Sequence, residues 1–142
     1  MTTTQAQRNK QAVRTGVENV FNLKKLDMVD DLYTDDVVDH SAPPELPPGI
    51  DGARAKVGAF IEAFPDLHLT YEHMTAEDDF VAGRFILSGT HQGNFGGIPA
   101  TGNAVRVSGH DLVRLRDGKV CEHWLELDTL GLMQQLGVID AG

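Results

Sequence analysis

The chain reads as an α+β fold, with helices first and a long, curved antiparallel sheet packed on them. Three observations carry this reading. Apolar residues recur at spacings of three and four as far as Phe64, and after Asp66 the period switches to two. Two of the strands this implies run for about a dozen residues, well beyond the usual roughly five or six. Glycines lie inside them, where a strand can bulge or curl. Helices followed by a run of strands is the α+β order, and strands of that length must bend, so the sheet is expected to enclose a hollow.

The first helix is expected over 5–21, with Val13, Val17, Val20 and Phe21 on its buried face. A second, short helix over 26–33 keeps the stripe through Leu26, Val29, Leu32 and Tyr33. Val37 and Val38 suggest a brief strand with His40 at its mouth, and the proline-rich connector 43–49 cannot continue a helix. Asp51 is expected to cap a third helix, whose stripe is Ala53, Val57, Phe60, Ile61 and Phe64 and which Pro65 ends. Four strands follow over 67–76, 80–92, 103–115 and 120–127, containing Gly83, Gly89 and Gly109, and a last helix over 129–136 closes an open end.

A chain of 142 residues is expected to form one domain over 1–142, with flexible ends at 1–4 and 138–142. Twelve basic against twenty-one acidic residues give a net charge of -9, which repels nucleic-acid phosphates and anionic lipid, so neither nucleic acid nor membrane is an expected partner. The single cysteine, Cys121, rules out an intrachain disulfide and fits a reducing, cytoplasmic home. No apolar run is long enough to span a bilayer, and the N-terminus lacks the apolar core of a secretory signal.

The densest chemistry lies in DGKVCEHWLELDTLGLMQQLG, from Asp117 to Gly137. A two-residue turn at Asp117-Gly118 pairs His110 with Leu125, Asp111 with Trp124 and Leu112 with His123. On that register His110 and His123 share one face with Leu112, Leu125 and Leu127, while Asp111, Trp124 and Glu126 share the other; a bulge near Gly109 would exchange the upstream residues. Two imidazoles among leucines suit a small-molecule pocket and proton transfer to or from carbon. Asp66, at the helix-to-strand junction, is either a turn residue or a carboxylate that orients a histidine or acts as a general base once an apolar setting raises it. Asp128 precedes a helix and is read first as its N-cap. Trp124 is expected to form a pocket wall or core, and His73 and His91 are expected on the surface.

Other chemistries lack their patterns. The six histidines and one cysteine show no zinc spacing. The GNFGG run lies between strands and does not open a helix, as a phosphate-binding loop would. Ser41, Ser88 and Ser108 lack a nucleophile elbow. The expected chemistry is acid–base, with no metal and no cofactor.

Three segments, FPDLHL (64–69), SGTHQGNFGGIPATGNAVRVSGHDLVRLRDGKVCEHW (88–124) and DTLGLMQQLG (128–137), resemble the SnoaL-like polyketide cyclases, and the likeness runs from about Val20 to Gly137. The resemblance implies the cone-shaped α+β barrel of nuclear transport factor two and ketosteroid isomerase, with a pocket for a hydrophobic ring system. It implies intramolecular aldol cyclisation or ring hydroxylation without a metal. It also implies an acidic residue on the last strand, at a position that falls near Leu125, and leucine cannot carry a proton.

The reading is therefore a cofactor-independent enzyme of this class acting on a hydrophobic, oxygenated, polyketide-like compound. His110 and His123 transfer protons, Asp66 or Asp111 orients them, and His40, Trp124, Leu125 and Asp128 contact the substrate. The alternatives are a hydroxylase on the same scaffold and a non-catalytic binding or dimerisation module. A homodimer is expected, through the outer sheet face around Trp124.

Overall fold

The computed structural model describes residues 3–140. Part of the expected flexibility of the two ends therefore falls on residues outside that range. Helix α1 (Gln5–Val17) opens on a reciprocal cap: Thr4 Oγ1 accepts the Gln7 N–H at 3.1 Å, and Gln7 Oε1 accepts the Thr4 N–H at 2.9 Å. The helical path continues to Asn22 as a wider π turn, closed by Leu23 N–H to Glu18 O at 2.9 Å. That turn sets Val20 wholly inside and sends Asn22 to the sheet, where its side-chain amide pairs with both backbone polar groups of Leu69 at 2.8 and 3.0 Å. The second helix is a 3-10 turn leading into α2 (Val29–Leu32), so Tyr33 already begins β1 (Tyr33–Asp39).

Helix α3 (Gly49–Ala63) starts earlier than its sequence suggested. Pro48 holds the cap position, because proline needs no N–H there, and Asp51 sits inside the first turn, 3.6 Å from Arg54. The strands β2 (His68–Glu77), β3 (Phe80–Thr90), β4 (Ala104–Arg116) and β5 (Lys119–Leu127) form the expected antiparallel meander. β1 adds a fifth strand parallel to β5, giving the order β1-β5-β4-β3-β2. Helix α4 (Thr129–Leu136) begins where Asp128 Oδ1 accepts the Gly131 N–H at 2.9 Å, and ends at Gly137 with φ 79°.

The register breaks, which bend a sheet, do not fall at the strand glycines. Breaks fall between Tyr71 and His73 in β2, between Arg114 and Leu115 opposite β5, and between Tyr33 and Val38 in β1. Gly83 and Gly109 are regularly paired within β3 and β4. Their missing side chains make room for aromatic rings: an added Cβ would strike Tyr71 at Gly83 and Phe85 at Gly109.

The last hairpin corrects the expected register. Asp117 and Gly118, both at positive φ (52° and 80°), form the two-residue turn, and Arg116 pairs with Lys119 and Leu115 with Val120 as the turn requires. Cys121 is then an extra residue, its Sγ 3.4 Å from Arg114 O, and beyond it Val113 pairs with His123, Leu112 with Trp124 and Asp111 with Leu125. The bulge is thus at Cys121, downstream of the turn, and not near Gly109. It exchanges the faces: Asp111 and His123 point inward together, while His110 is exposed on the outside.

Two buried clusters flank the hollow. One packs Val13, Val20, Val29 and Val57 against Val81, Val113 and Val120, and the other packs Phe64 and Leu67 against Phe85, Val107, Leu132 and Leu136. His91 belongs to this interior and is not a surface residue. It is 0% exposed, its ring 5.5 Å from that of Phe64, and its Nδ1 accepts the Thr101 N–H at 3.2 Å, which holds the loop between β3 and β4.

Candidate active site

Between the sheet and helices α1 and α3 lies a cavity of about 80 Å³, walled by Val17, Phe21, Val57, Phe60, Leu69, Phe85, Leu87 and Leu125. Into this apolar wall the fold sets six polar side chains: Tyr33 and Asp39 from β1, Lys56 from α3, Tyr71 from β2, Asp111 from β4 and His123 from β5. A few convergent polar groups in an apolar cavity is the usual form of a small-molecule site.

His123 is the centre of the group. Its Nδ1 lies 3.6 Å from Asp39 Oδ1 and its Nε2 lies 3.9 Å from Asp111 Oδ2. Both distances are just too long for direct hydrogen bonds. The placement follows from pairing, since Asp39 is opposite His123 in the parallel β1–β5 register, and the Cys121 bulge turns His123 toward Asp111. Beyond the last β1 pair, His40 N–H donates to His123 O at 2.9 Å and Leu125 N–H donates to Ser41 Oγ at 2.6 Å, which fixes the backbone on both sides of His123 and Trp124.

The two carboxylates have opposite environments. Burial alone would raise the Asp39 carboxyl, but His123 and Lys56, whose Nζ donates at 2.8 Å, outweigh it and hold Asp39 well below the usual carboxylate range. The Ser41 N–H adds a further donor at 2.9 Å. Asp111 goes the other way: burial raises it, and this exceeds the opposing pull of the Tyr71 hydroxyl, which donates to Oδ2 at 2.5 Å, and of His123. Burial, with these carboxylates nearby, also pushes the phenols of Tyr33 and Tyr71 far up, so both remain donors. Two carboxyls driven apart in this way can take different roles in one acid–base step.

The structure brings His123, Asp111 and Leu125 of the sequence-derived candidates to the cavity and leaves the others outside it. His110 faces solvent on the opposite side of the sheet, the consequence of the bulge. Asp66 is exposed and bonded twice to Thr90, to its N–H and its Oγ1, both at 2.7 Å; these bonds hold its carboxyl down and make it a turn residue. Asp128 caps α4. His40 and Trp124 stack on the outer face, centroids 4.7 Å apart and planes within 9°, and His40 Nε2 lies 2.8 Å from Glu122 Oε2.

Sequence reasoning passed over Asp39, Lys56, Tyr33 and Tyr71. Spacing gives only the face of each: Asp39 is two residues from inward-facing Val37, Tyr71 two from Leu69, and Lys56 stands between Ala53 and Phe60 on the apolar stripe of α3, while the partners they meet lie on other strands. Among the described residues no three side chains are placed to hold a metal ion, and no helix is long and apolar enough to cross a membrane.

A curved sheet closed by helices over an apolar cavity with acid–base groups defines the nuclear transport factor two-like class of small α+β barrels. Within that class, the chain belongs to the SnoaL-like polyketide cyclase family, whose model matches residues 11–136. A stretch of 74 residues is 38% identical to the aklanonic acid methyl ester cyclase DnrD of Streptomyces peucetius, covering 51% of this chain and 50% of that protein, so the match spans about half the length of that relative. The fold superposes on TsrD of Streptomyces laurentii with a TM-score of 0.87 at 28% identity, over 96% of this chain and 100% of that one. It also matches AclR of Streptomyces galilaeus, a proposed hydroxylase, with a TM-score of 0.79 at 28% identity over 94% and 83% of the two chains. IdmH of Streptomyces antibioticus, a proposed polyketide cyclase, gives 0.76 at 29% identity over 91% and 98%.

Proposed function

We propose that this protein catalyses an intramolecular aldol-type ring closure on an uncharged, hydrophobic, polyketide-like compound. The observation that carries the reading is the position of His123 between a carboxylate kept ionised and a carboxyl whose neutral form is favoured, on the wall of an apolar cavity. His123 takes the proton from the carbon next to a carbonyl, and Asp39 stabilises the imidazolium that results. The enolate carbon attacks a second carbonyl within the same molecule, forming a C–C bond. The alkoxide left on that second carbonyl receives a proton from Asp111, which returns to its acid form when His123 gives up the proton it took. Tyr33, for which no hydrogen-bond partner is found among the described residues, supplies a donor to the enolate oxygen.

The lining supports an uncharged substrate. Its one cation, Lys56, is already paired with Asp39, and a further carboxylate on the ligand would face two acidic residues. The absence of an acid at Leu125 is compensated in this scheme by Asp111, which is Leu125's partner across β4 and β5.

The test is incubation of the full chain with aklanonic acid methyl ester in D₂O, followed by mass spectrometry and NMR. A cyclised isomer, with solvent deuterium at the carbon flanking the carbonyl in recovered substrate, is expected. A product with one additional oxygen atom overturns the cyclase reading in favour of hydroxylation, and a ligand bound and recovered without deuterium overturns it in favour of a binding module.

A further inference from the structure

Tyr71 stands on β2 and Asp111 on β4, with the whole of β3 between them, yet their side chains meet at 2.5 Å. Alternate strands of a sheet lie roughly 9–10 Å apart. A tyrosine bridges that distance only by laying its ring across the intervening strand. Directly under the ring is Gly83, an inward position of β3 paired with Met74 on one side and Asp111 on the other. A Cβ at Gly83 would lie 2.5 Å from Tyr71 Cε1, 2.6 Å from Cδ1 and 3.3 Å from Asp111 Oδ1. The backbone of Gly83 has no positive φ, so the constraint is the space above it.

The neighbouring strand repeats the device. Phe85 lies over Gly109 in the same way, and its ring meets Tyr71 edge-on, with centroids 5.9 Å apart at 72°. Phe85 blocks the space on one side of Tyr71, and the slot over Gly83 is the path left to Asp111. The break in β2 falls between Tyr71 and His73, beside that slot, and Met74 resumes the inward face beyond it.

We propose that Gly83 is a positioning residue for the acid of this site: by carrying no side chain it opens the slot through which Tyr71 crosses β3 and fixes the Asp111 carboxyl toward His123. This deepens the proposed function and rests on it for the role of Asp111. The ionisable groups around Asp111 are Tyr71 from β2, His123 from β5, Tyr33 and Asp39 from β1, Lys56 from α3 and the adjoining His110; Arg14 of α1 acts on Tyr71.

The experiment is an NMR titration of the Asp111 carboxyl and the His123 imidazole in the full-length protein. Tyr71→Phe removes a bond that draws the carboxyl down, so Asp111 should titrate at higher pH. Gly83→Ala should move it in the same direction, and Gly83→Ala combined with Tyr71→Phe should give no further shift. A Gly83→Ala protein that titrates as wild type, or a double variant whose shifts add, overturns the proposal. If Gly83→Ala alone fails to fold, Tyr71→Ala in the same chain should restore cooperative unfolding by emptying the slot, and failure of that rescue also overturns it. The readout is independent of turnover, so the expected shifts in a protein that cyclises nothing would leave the positioning role standing and remove the cyclase reading alone.

Discussion

Asp39 and His123 are register partners across the parallel pair β1 and β5, and their side chains approach to 3.6 Å between Oδ1 and Nδ1. The only parallel pairing in the described sheet therefore creates the dyad. Residues 84 positions apart are brought side by side by the chain's return to its own first strand, and Lys56 from α3 completes the arrangement at 2.8 Å from the far oxygen of Asp39.

Replacing Asp39 with Asn tests this as a matter of stability. The folded carboxyl titrates below its unfolded value, so its contribution is fully present above the unfolded value, about pH 4, and is lost as pH falls through the folded one. At neutral pH Asp39→Asn should destabilise by about 3 kcal/mol, because Lys56 is left largely buried without its counter-ion. Urea unfolding at a series of pH values should show the variant and the wild type converging in strong acid.

Asp111 carries the opposite sign. Its folded value is raised, so its stabilising contribution is present below the unfolded value and lost as pH rises through the folded one. Asp111→Asn keeps an acceptor for Tyr71 without the buried charge. It should be at least as stable as wild type at about pH 8 and gain nothing at about pH 4, while turnover falls by about 10²-fold. Equal activity of the two proteins would remove Asp111 from the mechanism.

The fold was legible because its signals are local: the change of period after Asp66, the stripes of α1 and α3, and the Asp117-Gly118 turn each act over a few residues. The site was half legible for one physical reason. A single extra residue reverses every later side chain in a strand, and Cys121 supplies it between the turn and His123. The hint lay in the adjacent Val120 and Cys121, two buried neighbours where strict alternation allows one. Asp39 was hidden differently, because nothing near it in sequence indicates that β1 will pair with the last strand. Tyr71 needed the slot over Gly83, a relationship among three strands that no single segment displays.

The exchange of faces separates the two histidines of the hairpin experimentally. His123→Ala should lower turnover by about 10²-fold or more. His110→Ala should leave it unchanged, since that side chain is exposed on the outer face and absent from the cavity wall. Parallel assays of the two purified variants decide the matter, and equal losses would restore the unbulged register.

His91 gives a prediction about stability alone. Its ring is completely buried against Phe64, Nδ1 accepts the Thr101 N–H, and Nε2 has no partner among the described residues. Nδ1 also lies 3.0 Å from Thr101 Oγ1, so both polar contacts of the ring are to Thr101 and Nε2 is a polar atom left unmatched in the core. The residue's worth must then come from packing and from the bond that ties the loop before β4 to the end of β3. His91→Ala forfeits both and leaves a cavity beside Phe64, which should cost about 2–4 kcal/mol. His91→Phe keeps the packing and removes the unmatched polar atom, so it should recover more than half of that loss in urea unfolding. A Phe variant no more stable than the Ala variant would mean that the bond from Thr101, and not ring packing, is what the His91 side chain adds to the backbone bonds with Gly102 and Asn103.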